Sequence, residues 1–226
     1  MSLPILLFSA GFGTRMKHLT ADRPKPLVRV AGRPLIDHAL ALAQAINPPV
    51  IAANLHYRAA MLEAHLTPLG VQCITEAPDI LETGGGLRNA LPHLGTGAVM
   101  TLNTDAIWRG PNPLALLLQA WDPARMDALL IGIPLESALE HTGTGDFTRA
   151  EDGRLTRGAG TVYGGAQIIK TETLSQIEAR AFSLNLVWDR MLAQGRLYGV
   201  TYPGKWCDVG HPGGVITAET LLASDV

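Results

Sequence analysis

The chain opens on an unbroken apolar run, residues 3–9, that empties into a glycine turn at Ala10-Gly11-Phe12-Gly13. A run without alternation, stopped by glycine, predicts a strand buried on both faces of a parallel sheet. Residues 34–46, PLIDHALALAQAI, follow helical spacing, with proline at the start and Asn47-Pro48-Pro49 past the end. The pattern then predicts strands at 50–53, 71–75 and 98–102, and helices at 57–66 and, led by glycine, at 85–94. Such alternation predicts an open α/β sheet with helices on both faces. The second half is less regular. Strands are predicted at 127–133 and 163–169 and helices at 184–194 and 214–222, around a glycine- and charge-rich stretch at 136–160. The expectation is one domain over 1–226 with a small sub-lobe at roughly 136–185.

Composition narrows the chemistry. The 226 residues, 47% hydrophobic and 17% charged, suffice for a sizeable core and argue against disorder. A net charge of −2 with scattered Lys and Arg leaves no footprint for nucleic acid and no basic membrane patch. Any anionic partner is therefore expected to be small. Cys73 and Cys207 stand far apart without a CxxC spacing, which suits a reduced, cytoplasmic setting. The first apolar run is too short for a bilayer and lacks a basic segment before it, so it is read as a strand and not a signal. No HxxxH or HExxH pair occurs among the seven histidines, which argues against zinc, and His56 reads as a packed or solvent-facing histidine.

The glycine turn invites three phosphate-binding readings. A dinucleotide fingerprint wants a third glycine where Met16 stands. A Walker loop wants Gly-Lys where Met16, Lys17 and His18 stand. A plain glycine turn accounts for the glycines but not for Arg15, nor for the clamped Pro24-Lys25-Pro26 downstream.

Ala10-Gly11-x-Gly13-Thr14-Arg15-Met16 with Pro24-Lys25-Pro26 resembles the signature of sugar-1-phosphate nucleotidylyltransferases, and the physics suits that job. Glycines let backbone N–H groups approach a triphosphate, Arg15 forks onto phosphate oxygens, and Lys25 supplies a point charge on a proline-fixed backbone. The order of "LETGGG", "NTD", "FSLNLVWDRM" and "WCDVGHP" along the chain carries the resemblance over nearly its whole length. It implies a Rossmann-like, mixed but mostly parallel sheet of the nucleotide-diphospho-sugar transferase type. It also implies a nucleoside triphosphate and a sugar 1-phosphate as partners and Mg²⁺ as cofactor.

Carried over residue by residue, the resemblance implies catalytic roles for Arg15 and Lys25. It implies nucleotide contacts from Ala10, Gly11, Gly13, Thr14, Arg15, Lys25, Glu76, Thr83, Gly84 and Gly85. Sugar contacts fall to Asn103, Asp146, Tyr163, Gly164, Ser183 and Asn185. Asp105 and Asp208 match the two positions that hold one Mg²⁺. Read alone, Asp105 is as well a turn or cap aspartate at the carboxyl edge of the sheet. The family commonly has Thr where this chain has His211, and neither that nor Ala106 has a role from sequence.

The nearest likeness is to short, single-domain uridylyltransferases that act on N-acetylmuramate 1-phosphate in cell-wall recycling. Two alternatives stand beside it. One is the same chemistry with another nucleotide and another sugar or polyol phosphate. The other is a non-catalytic nucleotide-sugar-binding regulator, which predicts the loss of Arg15, Lys25, Asp105 or Asp208, and all four are present. Composition leaves monomer or homodimer open. A phosphate monoester is mostly dianionic at pH 7, so it is its own nucleophile and no general base is required.

Overall fold

Ile5, Leu6 and Leu7 are fully buried in β1 (Ile5–Phe8), which lies between two parallel neighbours, as a run without polar alternation requires. A computed structural model describes residues 2–224. After β1 come α1 (Leu35–Gln44), β2 (Ile51–Leu55), α2 (Ala59–Leu66), β3 (Gln72–Thr75), α3 (Glu82–Leu94) and β4 (Ala98–Asn103). The predicted elements are all there. The exception in boundary is α3, which starts at Glu82 and takes the whole glycine run into the helix.

The second half holds β5 (Ala106–Arg109), α4 (Pro113–Ala120), β6 (Ala128–Ile133), β7 (Ala138–Leu139), β8 (Phe147–Arg149) and β9 (Leu155–Arg157). Next come β10 (Val162–Lys170), α5 (Asn185–Ala193), β11 (Leu197–Thr201), β12 (Lys205–Asp208) and α6 (Pro212–Ala223). Of these, β5, α4, β7, β8, β9, β11 and β12 are not predicted above. The central sheet has seven strands in the order β11-β6-β10-β4-β1-β2-β3. Only β10 runs against the others, pairing antiparallel with β4 and β6. The expected mixed, mostly parallel sheet is the one observed.

The sub-lobe is smaller than expected. β10 sits in the middle of the central sheet, so the inserted segment ends before Val162. What remains is the hairpin β8–β9 and the short β7. A second sheet, β5-β12-β7, joins the end of β4 to the late part of the chain, with β12 antiparallel to β5.

Two packing features position the site. Met16, which stands where a dinucleotide loop would have glycine, is fully buried against a cluster that includes Val28, Leu35, Ile107, Cys207 and Val209. It anchors the loop after β1 to the second sheet. Across β4, β10 and α5, Trp188 Nε1 donates to Gln167 Oε1 at 2.9 Å and Gln167 Nε2 donates to Thr101 Oγ1 at 3.1 Å. This buried chain is satisfied inside the protein and fixes the one antiparallel strand in register.

Candidate active site

β1 lies between β2 and β4, and the crevice at their carboxyl ends is where an open α/β sheet binds ligands. A cleft of about 220 Å³ occupies that place. Ser9, Ala10 and Gly11 wall it on one side and Ile80, Glu82 and Thr83 on another, while Asn103, Asp105 and Lys25 close the floor.

Gly13 adopts a left-handed conformation (φ 65°), and a Cβ there would stand 2.7 Å from Cβ of Lys25. Glycine at this position is what lets the Pro24-Lys25-Pro26 segment lie against the loop after β1. Gly11 has open space around its Cα, as a backbone facing a ligand should. Lys25 is 9% exposed, and its Nζ donates to Oδ2 of Asp105 at 2.8 Å. A buried ammonium needs a partner of this kind, and the partner comes from the strand end 80 residues away.

The second aspartate arrives through the small sheet. Asp208 stands opposite Ala106 in the antiparallel register of β12 and β5, and Val209 N–H donates to the carbonyl of Asp105 at 2.8 Å. A small residue at 106 thus faces the Asp208 position directly. Burial, and then the Asp105 charge, push the Asp208 carboxyl above the ordinary carboxylate range, against the pull of Lys25, Arg15 and His211. Arg15 reaches the same spot: a Cβ on Gly210 would meet Oδ2 of Asp208 at 2.8 Å and Nη2 of Arg15 at 3.1 Å. His211 begins α6, where its Nε2 is 3.1 Å from Oε2 of Glu140, whose other oxygen accepts from Thr217 Oγ1.

Other predicted residues are placed differently. Gly84 and Gly85 do not wall the cleft: their N–H groups donate to the carbonyl of Phe182 at 2.8 and 3.1 Å, and a Cβ on either would strike Phe182 or the Arg180 carbonyl. Their absent side chains let α3 lie on the 180–182 segment. Glu76 is 2% exposed and turned inward; Oε1 accepts from Asn54 Nδ2 and Oε2 from Leu81 N–H, both at 2.7 Å. Asn54 Oδ1 in turn accepts from Ser9 N–H at 2.8 Å, so Glu76 braces the cleft wall from behind.

Gly164 is buried, and a Cβ there would meet Ile133 and Trp108. The Tyr163 ring packs edge-on against Trp188, and burial pushes its phenol upward. It is the next residue, Gly165 (φ 86°), that abuts Asn103 and shapes the floor. Thr83 both lines the cleft and accepts Leu184 N–H at 3.0 Å, while Ser183 and Asn185 on either side of Leu184 are not among the residues that line it. Asn185 accepts from Arg157 at 2.8 Å, and Asp146 accepts Tyr163 N–H at 2.8 Å. Thr14 is exposed at the start of the turn after Gly13. Sequence reading passed over Glu82 and Ile80; the signal available for Glu82 was a carboxylate set between an apolar pair and three glycines.

A Mg²⁺ ion takes hard oxygen ligands and keeps near-octahedral geometry with one or two protein carboxylates plus phosphates. Asp105 and Asp208, both flanked by fixed cations, fit that demand. Among the described residues no group of three or more metal-ligating side chains gathers, so this pair does not form an all-protein cage.

Comparison with known proteins gives the family and the fold. Residues 5–136 match the family model of the MobA-like NTP transferase domain. The chain is 39% identical to an N-acetylmuramate alpha-1-phosphate uridylyltransferase of Caulobacter vibrioides, over 96% of both chains. It is 31% identical to one of Neisseria meningitidis serogroup B, over 91% of this chain and 92% of that one. The crystal structure of HddC from Yersinia pseudotuberculosis complexed with GMP-PN has the same fold, with a TM-score of 0.78 at 20% identity, covering 97% of this chain and 99% of that one. With more than half of its length under the family model and a relative 39% identical over 96% of both chains, the chain belongs to the MobA-like NTP transferase domain family and is a sugar-phosphate nucleotidyltransferase.

Proposed function

We propose that the protein transfers a uridylyl group from UTP to N-acetylmuramate 1-phosphate, releasing pyrophosphate, as a step of cell-wall precursor recycling. The observation that carries the reaction type is the convergence of Lys25, Arg15, Asp105 and Asp208 at the end of a cleft walled by a glycine loop. The choice of substrate rests on the names of two relatives, 39% and 31% identical.

The phosphate oxygen of the sugar attacks the α-phosphorus, a new P–O bond forms, and the bond to pyrophosphate breaks in line. Gly11 offers its backbone to the triphosphate, and Arg15 and Lys25 neutralise its oxygens. Asp105 and Asp208 would hold Mg²⁺, which when bound supplies charge neutralisation at the reacting phosphates. The walls exclude water and align donor with acceptor, and no side chain has to move a proton.

The test is pyrophosphate release with Mg²⁺, crossing UTP, CTP, GTP and dTTP with N-acetylmuramate 1-phosphate and N-acetylglucosamine 1-phosphate. Release with UTP and the muramate substrate, lost in Asp105→Asn, is the expected result. Release with another pair keeps the mechanism and replaces the substrate. Nucleotide binding without release for any pair would make the protein a binding module.

A further inference from the structure

Glu82 combines three properties that its neighbours lack. It is exposed at the cleft and holds a left-handed backbone (φ 60°), which side-chain-bearing residues rarely adopt. Among the described residues, its carboxylate has no hydrogen-bond or ion-pair partner. The polar side chains around it are already engaged. Asn54 accepts from Ser9 and donates to Glu76, and Thr83 Oγ1 accepts from Leu184. At this end of the cleft Glu82 is the side chain left with two free acceptor oxygens.

A carboxylate is out of place in a cleft that Lys25 and the glycine loop suit to anions, because it repels the phosphates they attract. Asp105, the other carboxylate of the cleft, is paired with Lys25, whereas among the described residues Glu82 has no such cation beside it, and its placement suits a neutral donor. We propose that Glu82 is a specificity-determining residue that accepts hydrogen bonds from the vicinal ribose hydroxyls of the nucleoside triphosphate; this rests on reading the cleft as the nucleotide site. Two acceptor oxygens on one planar group match two neighbouring O–H donors. A base edge with one N–H between two carbonyls matches less well, since the second carboxylate oxygen would face a carbonyl. The apolar Ile80 and Phe8, which line the same cleft, suit the flat, uncharged part of a nucleoside.

Calorimetric binding of UTP and 2′-deoxy-UTP to the full chain tests this, with wild type, Glu82→Gln and Glu82→Gly. Wild type is expected to bind UTP at least about tenfold more tightly than the deoxy analogue, as loss of a hydrogen bond to a charged group implies. Both variants are expected to bind UTP at least as weakly as wild type binds the deoxy analogue and to bring the UTP to deoxy-UTP ratio toward one, with the deoxy analogue itself weakened less because only its 3′-hydroxyl contact is lost. Glu82→Gly is also expected to melt no lower than wild type, because glycine relieves the left-handed backbone. An unchanged UTP to deoxy-UTP ratio in the variants overturns the proposal. So does a variant whose only change is a raised KM for the sugar phosphate, which would give the carboxylate to the acceptor. Failure of wild type to bind any nucleoside triphosphate would instead overturn the reading of the cleft.

Discussion

Lys25 and Asp105 form an ion pair at 2.8 Å whose lysine side chain is 11% exposed and whose aspartate side chain is 37% exposed. The lysine is therefore the member committed to the protein, and the aspartate is the one that can still take a second cation. Removing Lys25 takes a fixed positive charge from the triphosphate side of the cleft. Lys25→Ala and Asp105→Asn are each expected to lower kcat/KM by about 10²–10³, in the range of other charge-stabilising groups. Steady-state pyrophosphate release measures it, and a loss under tenfold for both would remove this pair from the chemistry.

Asp208 is held at a cost. Its pKa is raised by burial and by Asp105, so folding favours its protonated form. The stability it contributes is full below the ordinary carboxylate range and is lost as the pH rises through the elevated value. At neutral pH the charge is a net burden that ligand binding relieves. Asp208→Asn is expected to raise stability at pH 7 by about 1 kcal/mol while abolishing transfer. The difference between variant and wild type should shrink as the pH falls toward 4, which thermal melts across pH will show.

The two glycines of the loop after β1 should separate in their effects. Gly13→Ala meets both a left-handed φ and the Lys25 side chain, so it is expected to destabilise by about 1–2 kcal/mol and to displace Lys25. Gly11→Ala meets no atom within 4 Å, so stability should hold. A marked loss of nucleotide affinity in Gly11→Ala, at unchanged Tm, would place the ligand against that backbone.

Glu76 acts behind the wall. Glu76→Ala strands the Asn54 amide and the Leu81 N–H in a buried place, an expected loss of about 2–3 kcal/mol. For a chain of this size that is a fall in Tm of roughly 5–10 °C. Gly86→Ala should resemble it, because its Cβ would lie 2.6 Å from Oε1 of Glu76. A Glu76→Gln variant with normal Tm and lost affinity would return Glu76 to direct ligand contact.

Much of this site was legible as sequence because its chemistry is local. The loop from Ala10 to Arg15 and the clamped Lys25 are read from neighbours along the chain, and strand-end aspartates at 105 and 208 announce the sheet edge. That Glu76, Gly84, Gly85 and Gly164 are packed away from the cleft lining was not legible, because which way a residue faces is decided by what packs on it. Phe182, Arg180 and Trp108 are remote in sequence and leave no local mark. The four-residue strands β5 and β12 are too short to show a period. Helix α4 was readable, since Asn112 caps it with proline following, and its side chain accepts Leu114 N–H at 2.9 Å.

β10, the antiparallel strand of the central sheet, sets an order of events during synthesis. β1 to β4 can zip together as soon as residue 103 is made, but β10, which covers the outer edge of β4, begins only at Val162. β6 is made before either of its neighbours, since β10 and β11 both follow it. A nascent chain therefore carries an open edge of buried-type residues, Val99, Met100 and Leu102, until its last third emerges. A fragment cut at residue 136, where the family match ends, would leave that edge bare for good and should self-associate instead of folding.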